Sequence, residues 1–78
     1  MHMENTNIYL LNPSATIKVN GKSIRIKDIE DLIPHTITTY NRACAALLYV
    51  RYISEALQTP FKHISIDFQD IYRLIERK

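Results

Sequence analysis

The sequence predicts one α+β domain, in which a small antiparallel sheet precedes a set of helices. Asn20-Gly21 separates two short segments of alternating apolar and polar residues, which is the signature of a β-hairpin. Apolar residues then recur at helical spacing over residues 37–57 and 65–77. A chain of 78 residues has too few apolar side chains for a second independent core. We therefore predict a single domain over residues 7–78.

The N-terminal segment contributes little to this prediction until residue 7. Residues 1–6 are polar, and we expect them to be disordered. Met1-His2-Met3 resembles a cloning remnant, so no role is assigned to His2. Residues 7–11 form an apolar run that ends at a turn signal around Pro13, which predicts a first strand. The sequence leaves open whether this strand pairs with the hairpin in a two- or three-stranded sheet over residues 7–27.

The hairpin turn defines the register of its two strands. Pairing outward from Asn20-Gly21 sets Val19 opposite Lys22 and Ile17 opposite Ile24. One face is then apolar and is expected to contact the core, whereas the other is polar or basic. The apolar face carries Ala15, Ile17, Val19, Ile24 and Ile26. The outer face carries Thr16, Lys18, Ser23, Arg25 and Lys27.

Three helices are predicted after the hairpin. Acidic residues at positions 28, 30 and 31 surround apolar ones at helical spacing, which indicates a short helix that Pro34 ends. Thr36 is the predicted N-cap of a long central helix over residues 37–57. Ser65 is the predicted cap of a C-terminal helix that ends near Arg77. We expect the central helix to lie on the sheet and the C-terminal helix to pack against both.

The apolar residues of the central helix form two stripes. The predicted core stripe consists of Ala43, Ala46, Leu47, Val50, Ile53 and Leu57. The second stripe contains aromatic residues with arginine at its borders, the mixture that protein–protein hot spots favour. It is either covered by the C-terminal helix or forms a partner-binding surface. Its candidate partner-binding residues are Arg42, Leu48, Tyr49, Arg51 and Tyr52.

No arrangement of residues predicts an active site, a metal site or a cofactor. His35 and His63 lie in loops without a neighbouring ligand, and Cys44 has no paired histidine at a recognisable spacing. Asp67 and Asp70 are explained as residues of a helical first turn. A single glycine leaves no phosphate-binding loop. We therefore predict that the protein is not an enzyme and binds no cofactor.

Cellular location follows from cysteine usage and hydropathy. One cysteine permits no intrachain disulfide, and we expect a small buried thiol at Cys44. No apolar run approaches the length of a membrane span. The sequence therefore predicts a cytoplasmic protein, in a bacterium or a host cell, without a membrane partner.

The prediction of function rests on size and composition. A small chain rich in Ile, Tyr, Asn and Lys is typical of AT-rich coding sequences, which suggests a phage or mobile-element accessory protein. We expect protein–protein contacts that inhibit or modulate a host complex, such as defence or transcription machinery, and self-association into a homodimer is a further alternative. The other alternative is nucleic-acid binding through the basic hairpin face, defined as Lys18, Arg25 and Lys27 of the outer face together with Lys22 at the turn.

Overall fold

The computed structural model describes residues 5–78, and this part of the chain is α+β. The prediction for residues 1–4 lies outside the described residues. The strands are β1 (Asn7–Leu11), β2 (Thr16–Val19), β3 (Lys22–Arg25), β4 (Thr36–Thr39) and β5 (Ile75–Arg77). The helices are α1 (Arg42–Ala56) and α2 (Phe68–Leu74), and three 3-10 turns span Ile26–Asp28, Glu30–Leu32 and Phe61–His63.

The β2–β3 hairpin has the predicted turn, register and faces. Asn20 and Gly21 both have positive φ, at 52° and 82°, as this two-residue turn requires. Ile17 pairs with Ile24, and Val19 pairs with Lys22. Ile17, Val19 and Ile26 are buried, whereas every residue of the predicted outer face is exposed.

β1 pairs with two strands that are distant in sequence rather than with the hairpin. The strand order of this sheet is β4-β1-β5, with both pairings antiparallel. Tyr9 lies opposite Ile37 and Leu11 lies opposite Ile75, and all four side chains are buried. The predicted sheet over residues 7–27 is therefore two sheets, one of them completed from beyond residue 27.

The prediction that the central helix begins after Thr36 is wrong. Thr36–Thr39 forms β4, because pairing with β1 buries Ile37 and suits β-branched residues. α1 begins after Asn41, whose side-chain oxygen accepts a hydrogen bond from the backbone N–H of Cys44 at 2.9 Å. Asn41 is thus the N-cap, and it satisfies one of the unpaired N–H groups at the helix start.

The predicted C-terminal helix is shorter at both ends. Its N-cap is Asp67 rather than Ser65, with the Asp67 carboxylate accepting from the backbone N–H of Gln69 at 2.8 Å. The helix ends at Leu74, and the chain then becomes extended as β5. Pairing with β1 overrides helical spacing here, because it buries Ile75 against the sheet. The predicted short acidic helix is likewise two 3-10 turns.

The buried face of α1 lies between the two predicted stripes. Ala46, Val50 and Ile53 come from the predicted core stripe, while Ala45 and Tyr49 come from the other. Ala43 and Leu47, which were predicted as core, are exposed because they lie on the far side of the first stripe. α1 contacts α2, β4 and β5, so its buried arc is the side of the helix that faces these three elements. Neither helix of residues 5–78 is long and apolar enough to cross a membrane.

Candidate protein-binding surface

Tyr49 is a core residue, although the sequence placed it among the candidate partner contacts. Its side chain is 0% exposed, and its hydroxyl donates a hydrogen bond to the Pro34 carbonyl at 3.0 Å. Burial raises the pKa of Tyr49 to about 12, with a smaller contribution from the neighbouring Tyr52. This bond joins α1 to the residues that precede β4. In the folded chain Tyr49 is therefore inaccessible to a partner.

Arg51 lies in a groove that the sequence did not predict. Leu47 and Arg51 are four residues apart on α1 and share its outer face, and Phe61 from the following 3-10 turn completes the lining. Leu47 is 50% exposed and Phe61 is 53% exposed. We name these three residues the α1 groove. Glu55 and Pro60 line a second depression that shares Arg51 and Phe61 with it.

The end of α1 explains how Phe61 comes to lie beside the helix. Gln58 has a φ of 55°, and the backbone N–H of Thr59 donates to the Ser54 carbonyl at 3.0 Å. The Ser54 hydroxyl donates in turn to the Thr59 carbonyl. These bonds form a Schellman-type cap that turns the chain back along the helix. Pro60 then leads into the turn that carries Phe61.

Arg42 belongs to a different part of the surface. Its guanidinium donates to the Ile75 carbonyl at 2.8 Å and lies 5.9 Å from the centre of the Tyr72 ring. Tyr72 and Phe68 are partly exposed, with ring centres 6.3 Å apart. Arg42 thus holds β5 and forms a cation–π contact with α2.

The predicted partner-binding stripe is therefore divided. Tyr49 is in the core, Leu48 is partly buried against it, and Tyr52 is 38% exposed. Arg42 and Arg51 have separate neighbours. Sequence reasoning missed Leu47 and Phe61, since helical spacing assigns Leu47 to the core. The only signal for Phe61 is that a large aromatic residue follows Pro60 in a loop.

The basic hairpin face is exposed, and an acidic residue contacts part of it. The Arg25 guanidinium contacts the Asp28 carboxylate at 3.0 and 3.3 Å. Lys18 and Lys27 are exposed on the same outer face. Lys22 is exposed at the turn, but its pairing with Val19 places it on the opposite face of the hairpin. A groove beside the outer face is lined by Arg25, Lys27 and residues 13–16. The structure therefore keeps the four basic side chains accessible, with one of them in an ion pair.

The titratable side chains considered in the sequence are spread across the fold. The His35 ring lies 3.3 Å from the Glu30 carbonyl oxygen, and His63 lies in the turn next to Phe61. Asp70 accepts from the backbone N–H of Lys18 at 3.0 Å and pairs with Arg73. Cys44 is a free, partly buried thiol. Within residues 5–78, no three His, Cys, Asp or Glu side chains are grouped to hold a metal ion.

Comparison of the chain with protein-family models, with characterised proteins and with solved structures finds no match. Function is therefore inferred from the geometry of the surface.

Proposed function

We propose that this is a non-enzymatic binding protein that contacts another protein through the α1 groove. The main observation behind the proposal is that Leu47 and Phe61 are both about half exposed and line one groove. Arg51 lines this groove and the neighbouring depression. The α1 groove differs from the stripe expected from sequence, because Tyr49 is buried and Leu47 is exposed. Arg51 is common to both.

The chemistry of this groove suits a protein partner. Burying exposed apolar surface yields roughly 25 cal/mol per Å², so covering Leu47 and Phe61 favours association. The Arg51 guanidinium can bond to a carboxylate or a carbonyl of the partner and stack on an aromatic ring. Aromatic residues and arginine that become desolvated together are the usual hot spots of protein interfaces. A partner that offers an apolar side chain beside an acidic group would complement the groove.

The class of partner follows from composition. The small, Ile- and Lys-rich chain supports an accessory protein of a phage or mobile element, and the partner would then be a component of a host defence or transcription complex. In this role the groove modulates the host complex by occupying one of its surfaces.

The test compares Phe61→Ser with a matched control, Phe68→Ser. Both side chains are about half exposed, at 53% and 47%, and they lie on different surfaces. We expect bait protein carrying Phe61→Ser to lose a partner that the wild type retains from a host lysate. Phe68→Ser should retain it, and circular dichroism should show the same fold for all three proteins.

The proposal is wrong if a Leu47→Ser, Phe61→Ser double variant retains every partner that the wild type captures. Loss of the partner in Phe68→Ser alone would indicate that the binding surface lies at Arg42 and Tyr72 instead.

The second candidate function is nucleic-acid binding through the basic hairpin face. It is favoured by the exposure of Lys18 and Lys27 on the outer face of a two-stranded ribbon, with Lys22 exposed at the turn. The Arg25–Asp28 pair weakens it. Electrophoretic mobility of labelled DNA and RNA at two salt concentrations tests this function, because phosphate contacts predict a salt-dependent shift. A shift that Lys18→Ala with Lys27→Ala abolishes would support it, and no shift at low salt would exclude it.

A further inference from the structure

The two sheets have four edge strands, and three of these edges are protected from pairing with another chain. On β5, the Arg42 guanidinium covers the Ile75 carbonyl at 2.8 Å. On β2, the Asp70 carboxylate accepts from the Lys18 N–H, and Asn20 donates to the Ser65 carbonyl at 2.9 Å. β3 carries charged side chains at both ends, Lys22 and Arg25. Covering groups and charges of this kind are the usual protection of sheet edges.

The fourth edge, β4, has no such protection among residues 5–78. Its sequence is Thr-Ile-Thr-Thr, without charge or proline. The Leu11 N–H donates to the His35 carbonyl at 2.9 Å, so the alternation of an antiparallel ladder directs the Ile37 and Thr39 backbone towards β1. The backbone N–H and C=O groups of Thr36 and Thr38 therefore point away from the sheet, where the hydrogen bonds of the described residues do not reach.

We propose that β4 pairs with β4 of a second copy of this chain, antiparallel about a twofold axis at Ile37. Thr36 would then lie opposite Thr38 of the partner subunit, and Thr38 opposite Thr36 of the partner subunit. The outward N–H and C=O groups of both residues become bonded, and the two three-stranded sheets join into one. Pairing about a twofold axis uses both free edges, so the assembly closes as a dimer.

The chemistry of β4 favours a second copy over another occupant. An uncharged strand can face itself without like-charge repulsion, and Thr–Thr pairs across strands are favourable. Self-pairing of β3 would instead bring together two strands that each carry two positive charges, at Lys22 and Arg25. The two most exposed large apolar side chains, Leu32 at 64% and Tyr40 at 54%, belong to the segments on either side of β4. Ile8, opposite Thr38 in the sheet, is a further exposed apolar side chain.

Association also fits the size of the chain. A chain of this length builds only a small core, and self-association is one way in which small domains gain stability. The interface does not include the α1 groove, so it does not depend on the function proposed above.

The test is the mass of the protein in solution, measured by sedimentation equilibrium up to millimolar concentration. Wild type is expected to sediment as a dimer. Thr38→Pro removes one outward N–H without removing a bond to β1, and proline is tolerated at such an edge position. We expect it to raise the dimer dissociation constant by roughly tenfold or more. Thr38→Val keeps the amide and the branched side chain, so it is the matched control and should remain dimeric.

A second variant keeps the test decisive if Thr38→Pro does not fold. Thr36→Lys combined with Thr38→Lys places like charges opposite each other across the twofold axis and should give a folded monomer by circular dichroism. A monomeric wild type at every concentration would overturn the proposal, as would a folded variant of either kind whose dimer dissociation constant equals that of the wild type. Phe61→Ser should leave the dimer unchanged.

Discussion

The hairpin and the three-stranded sheet differ in how much of the chain each needs. β2 and β3 are joined by two residues, so forming their ladder closes a very short loop. β1 pairs with β4 and with β5, which lie at residues 36–39 and 75–77, so the second sheet requires nearly the whole chain to be in place. Loop-closure entropy therefore opposes the second sheet more strongly. The hairpin depends on turn chemistry, and the sheet depends on tertiary packing.

The described hydrogen bonds that join β2 and the hairpin turn to the rest of the fold come from one segment, residues 65–70. Asp70 accepts from the Lys18 N–H, Val19 forms a bridge with Ile66, and the Ser65 N–H donates to the Asn20 side chain at 2.7 Å. β2 thus docks on α2 and the segment before it. We infer that the hairpin can form before the three-stranded sheet but is fixed in place only when α2 docks.

The largest expected effect comes from deleting one buried isoleucine in each sheet. Ile17 and Ile75 are both 1% exposed, so Ile17→Ala and Ile75→Ala remove equal side chains from equal burial. Each is expected to lower the free energy of unfolding by about 2–5 kcal/mol, close to the whole stability of a chain this small. Urea unfolding followed by circular dichroism measures the loss.

Kinetics separate these two variants. Because the hairpin contacts are local and expected to form early, Ile17→Ala should slow folding, whereas Ile75→Ala should mainly accelerate unfolding. The milder Ile17→Val and Ile75→Val serve where the alanine variants do not fold. If Ile75 substitutions slow folding more than Ile17 substitutions, the sheet forms first and the comparison is reversed.

The same difference explains what the sequence could predict. Asn20-Gly21 specifies both the turn and the register, so the hairpin was predicted residue by residue. Residues 36–39 were assigned to the helix because Thr36 is an acceptable N-cap and Ile37 continues the helical spacing. Their pairing with β1, which decides the outcome, is a contact between distant residues that periodicity does not contain. β5 was missed for the same reason, since Ile75 also fits the spacing of α2.

The candidate surface was predicted less well than the hairpin. Periodicity identifies the apolar residues of α1 but not which arc the neighbouring elements cover. Because β4 and β5 were not predicted, the expected core face of α1 included Leu47 and left out Tyr49. Phe61 reaches the groove because the chain reverses at the cap formed by Gln58. The positive φ of this non-glycine residue cannot be predicted from the sequence.

An intermediate effect is expected at two of the three described positions where the backbone has positive φ. Gly21 has a φ of 82°, and a Cβ there would meet nothing within 4 Å, so Gly21→Ala should cost about 1–2 kcal/mol through the backbone alone. Gln58→Gly should instead stabilise the protein by about 0.5–1 kcal/mol, because glycine suits the left-handed residue of the α1 cap. Thermal unfolding measures both, and equal signs would contradict this account of the turns.

The smallest expected effect is at the hydrogen bond between Tyr49 and Pro34, which ties α1 to the start of β4. Tyr49→Phe removes the hydroxyl but keeps the ring, so we expect a loss of about 1 kcal/mol. Burial of the same hydroxyl makes stability depend on pH. The pKa of Tyr49 is raised from 10.0 to about 12, so the folded state holds this proton more tightly than the unfolded state does. Its contribution is present below pH 10 and is lost as pH rises towards 12.

Titration of tyrosinate absorbance tests this assignment directly. Wild type should show one phenol that ionises near pH 12 while folded, and Tyr49→Phe should lack that step. Tyr40→Phe, which removes a phenol that is 54% exposed, is the matched control and should keep it. If Tyr49→Phe retains the late step, the raised pKa belongs to another phenol. The hydrogen bond from Arg42 to the Ile75 carbonyl would then be the polar contact that joins α1 to the three-stranded sheet.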